Sequence, residues 1–166
     1  LQTKFRPSIT SLLRAARKAG LSTSLDPQWD ATENWQYMNE WLPLLTYFFP
    51  NEDEACSITG KKTVPDACRA LSKRTACPLI KIGKKGVMLQ DNGKILTFPP
   101  VQVKVVDTTG AGDSFNAGFL YGMMERKMNV ADAARFGTAV ASRSCMFTGG
   151  VNARSTYRDI LKLTKE

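Results

Sequence analysis

Apolar residues recur along much of this chain at the spacing of an amphipathic helix, three to four residues apart. The first such segment is opened by Pro7 and Ser8 and stopped by Gly20, which are residue types that start and end helices. A longer segment is opened by Gly110. The spacing predicts helices over residues 7–20, 34–42, 64–74, 110–124, 130–145 and 155–163.

Short runs of β-branched and aromatic residues lie between these helices and indicate strands. The pair Asn92-Gly93 separates two such runs, which is typical of a hairpin. Strands that alternate with helices indicate an α/β fold: a three-layer α/β/α domain with a mostly parallel sheet. The predicted strands cover residues 21–25, 47–49, 79–82, 87–89, 95–98 and 101–106.

Ligands of such sheets bind beyond the carboxyl ends of the strands. In this chain that rule indicates Asp26-Pro27 and residues 51–54, 83–86 and 107–113 as candidate site segments.

The 166 residues suffice for one domain, and they carry 23 Lys and Arg against 15 Asp and Glu. Ten of those basic residues lie in 61–106, beside only Asp66 and Asp91. Such a patch attracts nucleic acid or a phosphorylated small molecule, but few aromatic residues are present there to stack on bases. The first 25 residues show no signal-peptide h-region, and the sequence contains no run of about 20 apolar residues. We therefore expect a cytoplasmic protein that binds neither membrane nor nucleic acid.

Cysteine and histidine usage narrows the chemistry. The four cysteines form no CxxC pair, and the chain has no histidine. We therefore expect buried free thiols and no zinc site. Without histidine, any proton transfer depends on Asp, Glu, Lys or Tyr.

Residues 107–113, Asp-Thr-Thr-Gly-Ala-Gly-Asp, carry the most specific chemical signal. They follow a predicted strand and open a predicted helix, where backbone N–H groups and the helix dipole favour an anion. Asp113 in the first turn would accept a proton from a hydroxyl that attacks phosphorus. The alternative is that Asp113 only caps the helix, because acidic residues are favoured there.

Two better-known nucleotide motifs do not fit this chain. The dinucleotide fingerprint GxGxxG requires a third glycine where Phe115 stands. A P-loop requires a Ser or Thr after Gly60-Lys61, but Lys62 follows, and Ala55 replaces the first glycine.

Residues 107–115 closely resemble the C-terminal signature of the ribokinase-like (PfkB) family of carbohydrate kinases. Residues 50–54, Pro-Asn-Glu-Asp-Glu, resemble the Asn-x-x-Glu segment of that family, and residues 82–86 resemble its ATP-contacting turn. Asp26-Pro27 fits as the end of an earlier strand. The order and separation of these segments agree with the family over nearly all of the chain.

The resemblance implies ATP-dependent phosphorylation of a sugar hydroxyl, with ATP and Mg²⁺ as cofactors. In that scheme Asp113 is the catalytic base, while Asn51 and Glu54 organise Mg²⁺ through water. The remaining implied roles are an anion hole at Gly110, Ala111 and Gly112, and nucleotide contacts at Gly83, Lys84, Gly86 and Gly149.

Two finer expectations follow from the same resemblance. Asp107 and Thr109 match positions that bind a monovalent cation in many family members, so a K⁺ requirement is open. Residues 139–149 are expected to border the adenine.

The resemblance also implies that the chain is the C-terminal, catalytic portion of a single kinase domain. It begins at Leu1 without methionine, and no early Gly-Gly segment, lid or set of sugar contacts is recognisable. We therefore expect residues 1–166 alone to bind nucleotide weakly and to phosphorylate nothing. The sugar and a homodimer through the lid stay open. The alternatives are a nucleoside or vitamin kinase of the same superfamily, and a non-catalytic nucleotide-binding module.

Overall fold

A computed structural model describes residues 5–32, 34–150 and 155–164. The chain forms two compact units. Unit 1 comprises Leu1–Ile82 and Met88–Leu96, and unit 2 comprises Gly83–Val87 and Thr97–Glu166. Among the described residues, no helix combines the length and the apolar character that a bilayer crossing requires.

Unit 1 contains short parallel strands and the helices that connect them. Two of its later strands, at Val87–Asp91 and Lys94–Phe98, continue by one or two residues into unit 2. A single turn of 3₁₀ helix, Leu42–Leu44, follows directly on the second helix. The elements are α1 (Arg6–Lys18), β1 (Ser24–Leu25), α2 (Met38–Trp41), β2 (Tyr47–Phe48), α3 (Glu52–Thr59), α4 (Val64–Leu71), β3 (Cys77–Pro78), β4 (Ile80–Lys81), β5 (Val87–Asp91) and β6 (Lys94–Phe98).

The strands β1, β2 and β3 form a parallel sheet in that order. The parallel pairing continues past β3, because the Lys81 N–H donates to the Pro50 carbonyl at 2.8 Å and Asn51 forms a parallel bridge with Lys81. The carboxyl ends of these strands therefore bring the residues that follow β2 beside β4.

A second sheet has the order β4-β5-β6. Asn92 and Gly93 connect β5 to β6, with φ of 46° and 79°. Positive φ at both positions is the type I′ geometry that matches strand twist, and it confirms the hairpin predicted from Asn-Gly.

The core of unit 1 is formed by aromatic and aliphatic side chains that are excluded from solvent. Trp41 is 1% exposed, and Met38, Leu42, Phe48 and Leu71 are fully buried. Because α2, β2 and α4 each contribute to this cluster, it fixes the sheet against its helices.

Unit 2 is built on three helices after a 3₁₀ turn at Gly83–Lys85: α5 (Ala111–Met124), α6 (Val130–Ser144) and α7 (Tyr157–Leu163). Glycines within α5 and α6 allow a close crossing. A Cβ on Gly118 would lie 2.8 Å from Val140, and one on Gly137 would lie 2.9 Å from the Phe115 ring. The close contact between α5 and α6 therefore depends on the absence of side chains at Gly118 and Gly137.

The strand predicted over residues 101–106 is wrong. The segment has no regular secondary structure, and Val105 and Val106 are 59% and 57% exposed. Its backbone N–H groups do not pair with a neighbouring strand. The Val101 N–H donates to Ser142 Oγ in α6, and the Val106 N–H donates to the carbonyl of Cys145, directly after α6. A β-branched run becomes a strand only where a partner strand is present.

Other predicted elements differ mainly in extent. The helix predicted over 34–42 is confined to α2 and its 3₁₀ extension, and α3 was not predicted at all. The helices that begin at Val64, Ala111, Val130 and Tyr157 are confirmed, although α4 and α7 are shorter than predicted. All four cysteines are free, but only Cys68 and Cys145 are buried as expected, whereas Cys56 and Cys77 are half-buried.

Candidate functional site

The loop before α5 has the geometry of an anion site. Gly110 is the residue at the N-terminus of α5 and has a left-handed φ of 73°. The Ala111 N–H folds back onto the Thr108 carbonyl at 3.1 Å. Helix geometry gives the next two N–H groups, those of Gly112 and Asp113, no acceptor within the helix. The start of α5 therefore offers donors and a positive dipole end to an anion.

Asp113 lies in the first turn of α5, and its side chain is exposed. The residue at the N-terminus of α5 is a glycine, and no side chain caps this helix. Asp113 consequently combines a solvent-accessible carboxylate with the anion-favouring end of a helix.

Asp107 fastens this loop to the segment that follows α6. Its Oδ1 accepts the Thr109 N–H and its Oδ2 accepts the Gly149 N–H, both at 2.9 Å. Hydrogen bonds from the Gly149 and Thr109 backbones lower the pKa of Asp107 below its ordinary value. The carboxylate is thus held ionised by the loops that it joins.

The same two segments also touch through glycines. A Cβ on Gly110 would lie 2.9 Å from the Cα of Gly150. Gly149 has φ of 83°, so it is in a conformation that other residues rarely adopt. Residues 151–154 lie outside the described part of the chain.

Asn51 and Glu54 form a reciprocal capping box at the start of α3. Asn51 Oδ1 accepts the Glu54 N–H, and Glu54 Oε2 accepts the Asn51 N–H, both at 2.8 Å. Glu54 is 3% exposed. Burial raises the pKa of its carboxyl group, although the Asn51 hydrogen bond and the Lys81 charge oppose that rise.

Asp26 follows β1 and Lys81 ends β4, and these strands lie on either side of β2 and the residues that continue it. The Lys81 ammonium lies 2.6 Å from Asp26 Oδ2, with the two side chains 19% and 32% exposed. Lys81 also pairs with Asn51 through the backbone bridge. We call Asp26, Asn51, Glu54 and Lys81 the strand-end cluster.

The strand-end cluster suits a hydrated magnesium ion better than a fully protein-ligated one. Its oxygen atoms are the donors that Mg²⁺ prefers, and the capping box uses only one of the two Glu54 carboxylate oxygens. In the described ranges, no three His, Cys, Asp or Glu side chains gather around a single metal position. Water and phosphate oxygens would have to supply the remaining ligands.

Gly83 and Gly86, at the two ends of the turn, differ in what surrounds them. The Gly86 N–H donates to the Gly83 carbonyl at 2.9 Å, and both residues have positive φ. A Cβ on Gly86 would lie 1.9 Å from the Phe98 carbonyl oxygen, whereas one on Gly83 would meet open space. Packing therefore explains Gly86, while space beside Gly83 and the exposed Lys84 is compatible with a ligand.

Each unit has a cavity beside its candidate residues. One of about 430 Å³ in unit 1 is lined by Trp29, Asn51, Asp53 and Cys56. One of about 440 Å³ in unit 2 lies among α5, α6 and α7, and Ser114 and Gly150 are among its lining residues.

Sequence reasoning missed two features of these sites. It identified Asp26 but not its partner Lys81, whose signal was a charged residue inside the apolar run 79–82. It identified Gly149 as a candidate nucleotide contact, but not the contact of Gly150 with Gly110, which no local pattern reveals.

Comparisons with known proteins identify the relatives of this chain. The family model described as "pfkB family carbohydrate kinase" matches residues 1–156. Ribokinase of Arabidopsis thaliana is 32% identical over 180 residues, which cover 99% of this chain and 45% of that protein. Cytidine kinase of Thermococcus kodakarensis is 46% identical over 78 residues, which cover 45% of this chain and 28% of that protein.

Among solved structures, that of Arabidopsis thaliana ribokinase complexed with ribose and ATP matches with a TM-score of 0.82 and 30% identity. The match covers 95% of this chain and 52% of that one. The ribokinase-like α/β fold expected from the sequence is thereby confirmed, and the chain spans about half the length of the ribokinases it matches or less.

Proposed function

We propose an activity for this chain from its family, since it belongs to the pfkB family of carbohydrate kinases. The proposed reaction is transfer of the ATP γ-phosphoryl group to a hydroxyl of a sugar. The activity is proposed for the whole protein, because the chain covers 45% of the Arabidopsis ribokinase and 52% of its solved structure.

The observation that carries the proposal is the start of α5, where an exposed carboxylate stands beside unpaired helix donors. In the proposed reaction the hydroxyl oxygen forms a bond to the γ-phosphorus as the bond from phosphorus to the ADP oxygen breaks. Asp113 takes the hydroxyl proton. Charge that spreads over the phosphoryl oxygens is stabilised by the backbone of Gly110, Ala111 and Gly112.

Nucleotide contacts are proposed for Gly83, Lys84, Gly86 and Gly149. Open space beside Gly83 lets a phosphate or sugar approach its backbone, and Lys84 is exposed next to it. The positive φ of Gly149 and its bond to Asp107 support a fixed backbone position after α6. We further propose that residues 139–149 border the adenine.

The proposed cation sites differ in how the structure supports them. Magnesium, when bound with the nucleotide, neutralises charge on the phosphates. Asn51 and Glu54 would position its waters, because the capping box fixes both side chains at the end of β2. Asp107 and Thr109 are proposed for a monovalent cation, with Asp107 already oriented by two backbone amides.

The acceptor is proposed to be a sugar, with a nucleoside as the second candidate. Ribokinase and cytidine kinase are both among the relatives, so the family alone does not choose between these classes. Release of ADP by the whole protein with ATP and Mg²⁺ should be measured against a panel of pentoses, hexoses and nucleosides. Sugar-dependent ADP release supports the proposal, and release only with nucleosides favours the second candidate.

A matched measurement on residues 1–166 alone tests the expectation of weak nucleotide binding without turnover. ADP release at the rate of the blank with every acceptor supports the expected absence of turnover. Robust sugar-dependent ATP consumption by these residues would contradict it.

A further inference from the structure

Lys81 places a positive charge within the strand-end cluster. Its ammonium lies 2.6 Å from Asp26 Oδ2, and this ion pair is partly shielded from solvent, with 19% and 32% of the two side chains exposed. Its charge also acts on the buried Glu54, whose ionised form it favours. The ammonium therefore pairs directly with Asp26, while Lys81 lies opposite Asn51, whose N–H binds the Glu54 carboxylate.

This arrangement changes what the cluster attracts. With Asp26 and Glu54 ionised and no lysine, their two negative charges would attract a divalent cation. With Lys81 present, one of those charges is balanced, and a divalent ion that approached Asp26 would meet the ammonium that Asp26 already binds. Partial burial strengthens that repulsion, because less water screens it.

Phosphate oxygens would offset this repulsion between the Lys81 ammonium and a divalent ion. A di- or triphosphate brings several negative charges, which offset both the divalent ion and the ammonium. An ammonium has three donors, and the bond to Asp26 uses one of them, so further donors can reach phosphate oxygens.

We propose that Lys81 is a resident cation that keeps free divalent metal off Asp26 and Glu54, so that the cluster accepts magnesium only together with nucleotide phosphates. This inference rests on the proposed function, because it assigns the strand-end cluster to a magnesium–nucleotide complex. It makes Lys81 a positioning residue that selects the form in which the metal is bound.

A purely structural role for the Lys81–Asp26 pair makes a different prediction. If the pair only joined two strand ends, Lys81→Gln would lower stability and leave metal binding without nucleotide as weak as before. The decisive readout is therefore Mg²⁺ binding in the absence of nucleotide.

The experiment is calorimetric titration of the protein with Mg²⁺ alone, at low ionic strength. We expect no saturable binding to the wild-type protein at submillimolar Mg²⁺, and binding to Lys81→Gln that is tighter by about tenfold or more. Lys81→Arg keeps the charge and should behave as wild type, and so should Lys73→Gln, which removes an exposed lysine elsewhere in unit 1. Adding Asp26→Asn to Lys81→Gln should abolish the gain.

A second measurement needs no variant. Wild-type protein should bind Mg²⁺ once ADP or pyrophosphate is present, and submillimolar binding of Mg²⁺ alone would overturn the inference. Equal Mg²⁺ binding by folded Lys81→Gln and wild type would also overturn it, and the proposed function would stand if Mg·ADP still binds. Failure of the wild type to bind Mg·ADP would instead count against the proposed function.

Discussion

Asp107 Oδ2 accepts the Gly149 N–H at 2.9 Å and so joins the loop before α5 to the segment after α6. Its other oxygen accepts the Thr109 N–H within the first loop. The two segments are far apart in sequence but share one carboxylate and a glycine contact between Gly110 and Gly150. The start of α5 is therefore positioned by a tertiary bond as well as by its own helix.

Replacing Asp107 with Asn should lower the melting temperature at pH 7. The amide keeps one oxygen acceptor but loses the charge that strengthens both backbone hydrogen bonds. Thermal unfolding of the variant and the wild type measures this effect. Glu125→Gln is the matched control, because it removes an exposed acid at the far end of α5.

The same pair predicts a dependence on pH. Backbone hydrogen bonds lower the folded pKa of Asp107 from its ordinary value of 3.8, so the unfolded chain binds the proton more tightly. The stabilisation is present above that ordinary value and is lost as the pH falls through the folded pKa. The difference between wild type and Asp107→Asn should therefore shrink in acid, and a constant difference from pH 7 to pH 3 would contradict this account.

Gly83 and Gly86 should respond differently to alanine. Gly83→Ala should cost about 1–2 kcal/mol, because only left-handed strain is added. Gly86→Ala should cost about 1–3 kcal/mol more, because its Cβ would lie 1.9 Å from the Phe98 carbonyl oxygen. Urea unfolding measures both, and equal costs would show that the Phe98 contact is unimportant.

Substitutions in the capping box of Asn51 and Glu54 should distinguish its contribution to stability from the effect of the Glu54 charge. Asn51→Ala should lower the free energy of unfolding by about 1 kcal/mol, because it removes the acceptor for the Glu54 N–H. Glu54→Gln keeps an oxygen acceptor for the Asn51 N–H and should destabilise less. It should nevertheless weaken Mg·ADP binding, measured by calorimetry, if Glu54 positions the ion.

Burial also gives Glu54 a pH signature of opposite sign to that of Asp107. Its pKa is raised above the ordinary value of 4.5, so its contribution is fully present below that value and is lost as the pH rises through the folded pKa. Wild type should therefore lose stability relative to Glu54→Gln between about pH 4 and pH 7. A gain over the same interval would contradict the buried-carboxylate account.

The parts of this fold that the sequence predicted are those with local signals. Asn92-Gly93 predicted the hairpin because the type I′ turn needs positive φ at both residues. Gly110 predicted the start of α5 to within one residue, since the helix begins at Ala111. Hydrophobic periodicity and turn residues are sufficient to predict elements of this kind.

The misses depend on partners that are distant in sequence. Residues 101–106 have the composition of a strand, yet Val106 donates to Cys145, so whether they form a strand was decided by tertiary contacts. The Lys81–Asp26 pair and the Gly110–Gly150 contact likewise join separate segments. Motif matching identified individual residues of these segments but had no means of showing which distant residues contact one another.

Turnover of Asp113→Asn in the whole protein tests the central claim most directly. ADP release should be measured with saturating ATP, Mg²⁺ and the best acceptor, beside ATP binding by calorimetry and the control Glu125→Gln. Loss of the general base should lower turnover by about 10² or more while ATP binding and the control stay as in wild type. Turnover of folded Asp113→Asn at the wild-type rate would contradict the assignment of Asp113 as the catalytic base.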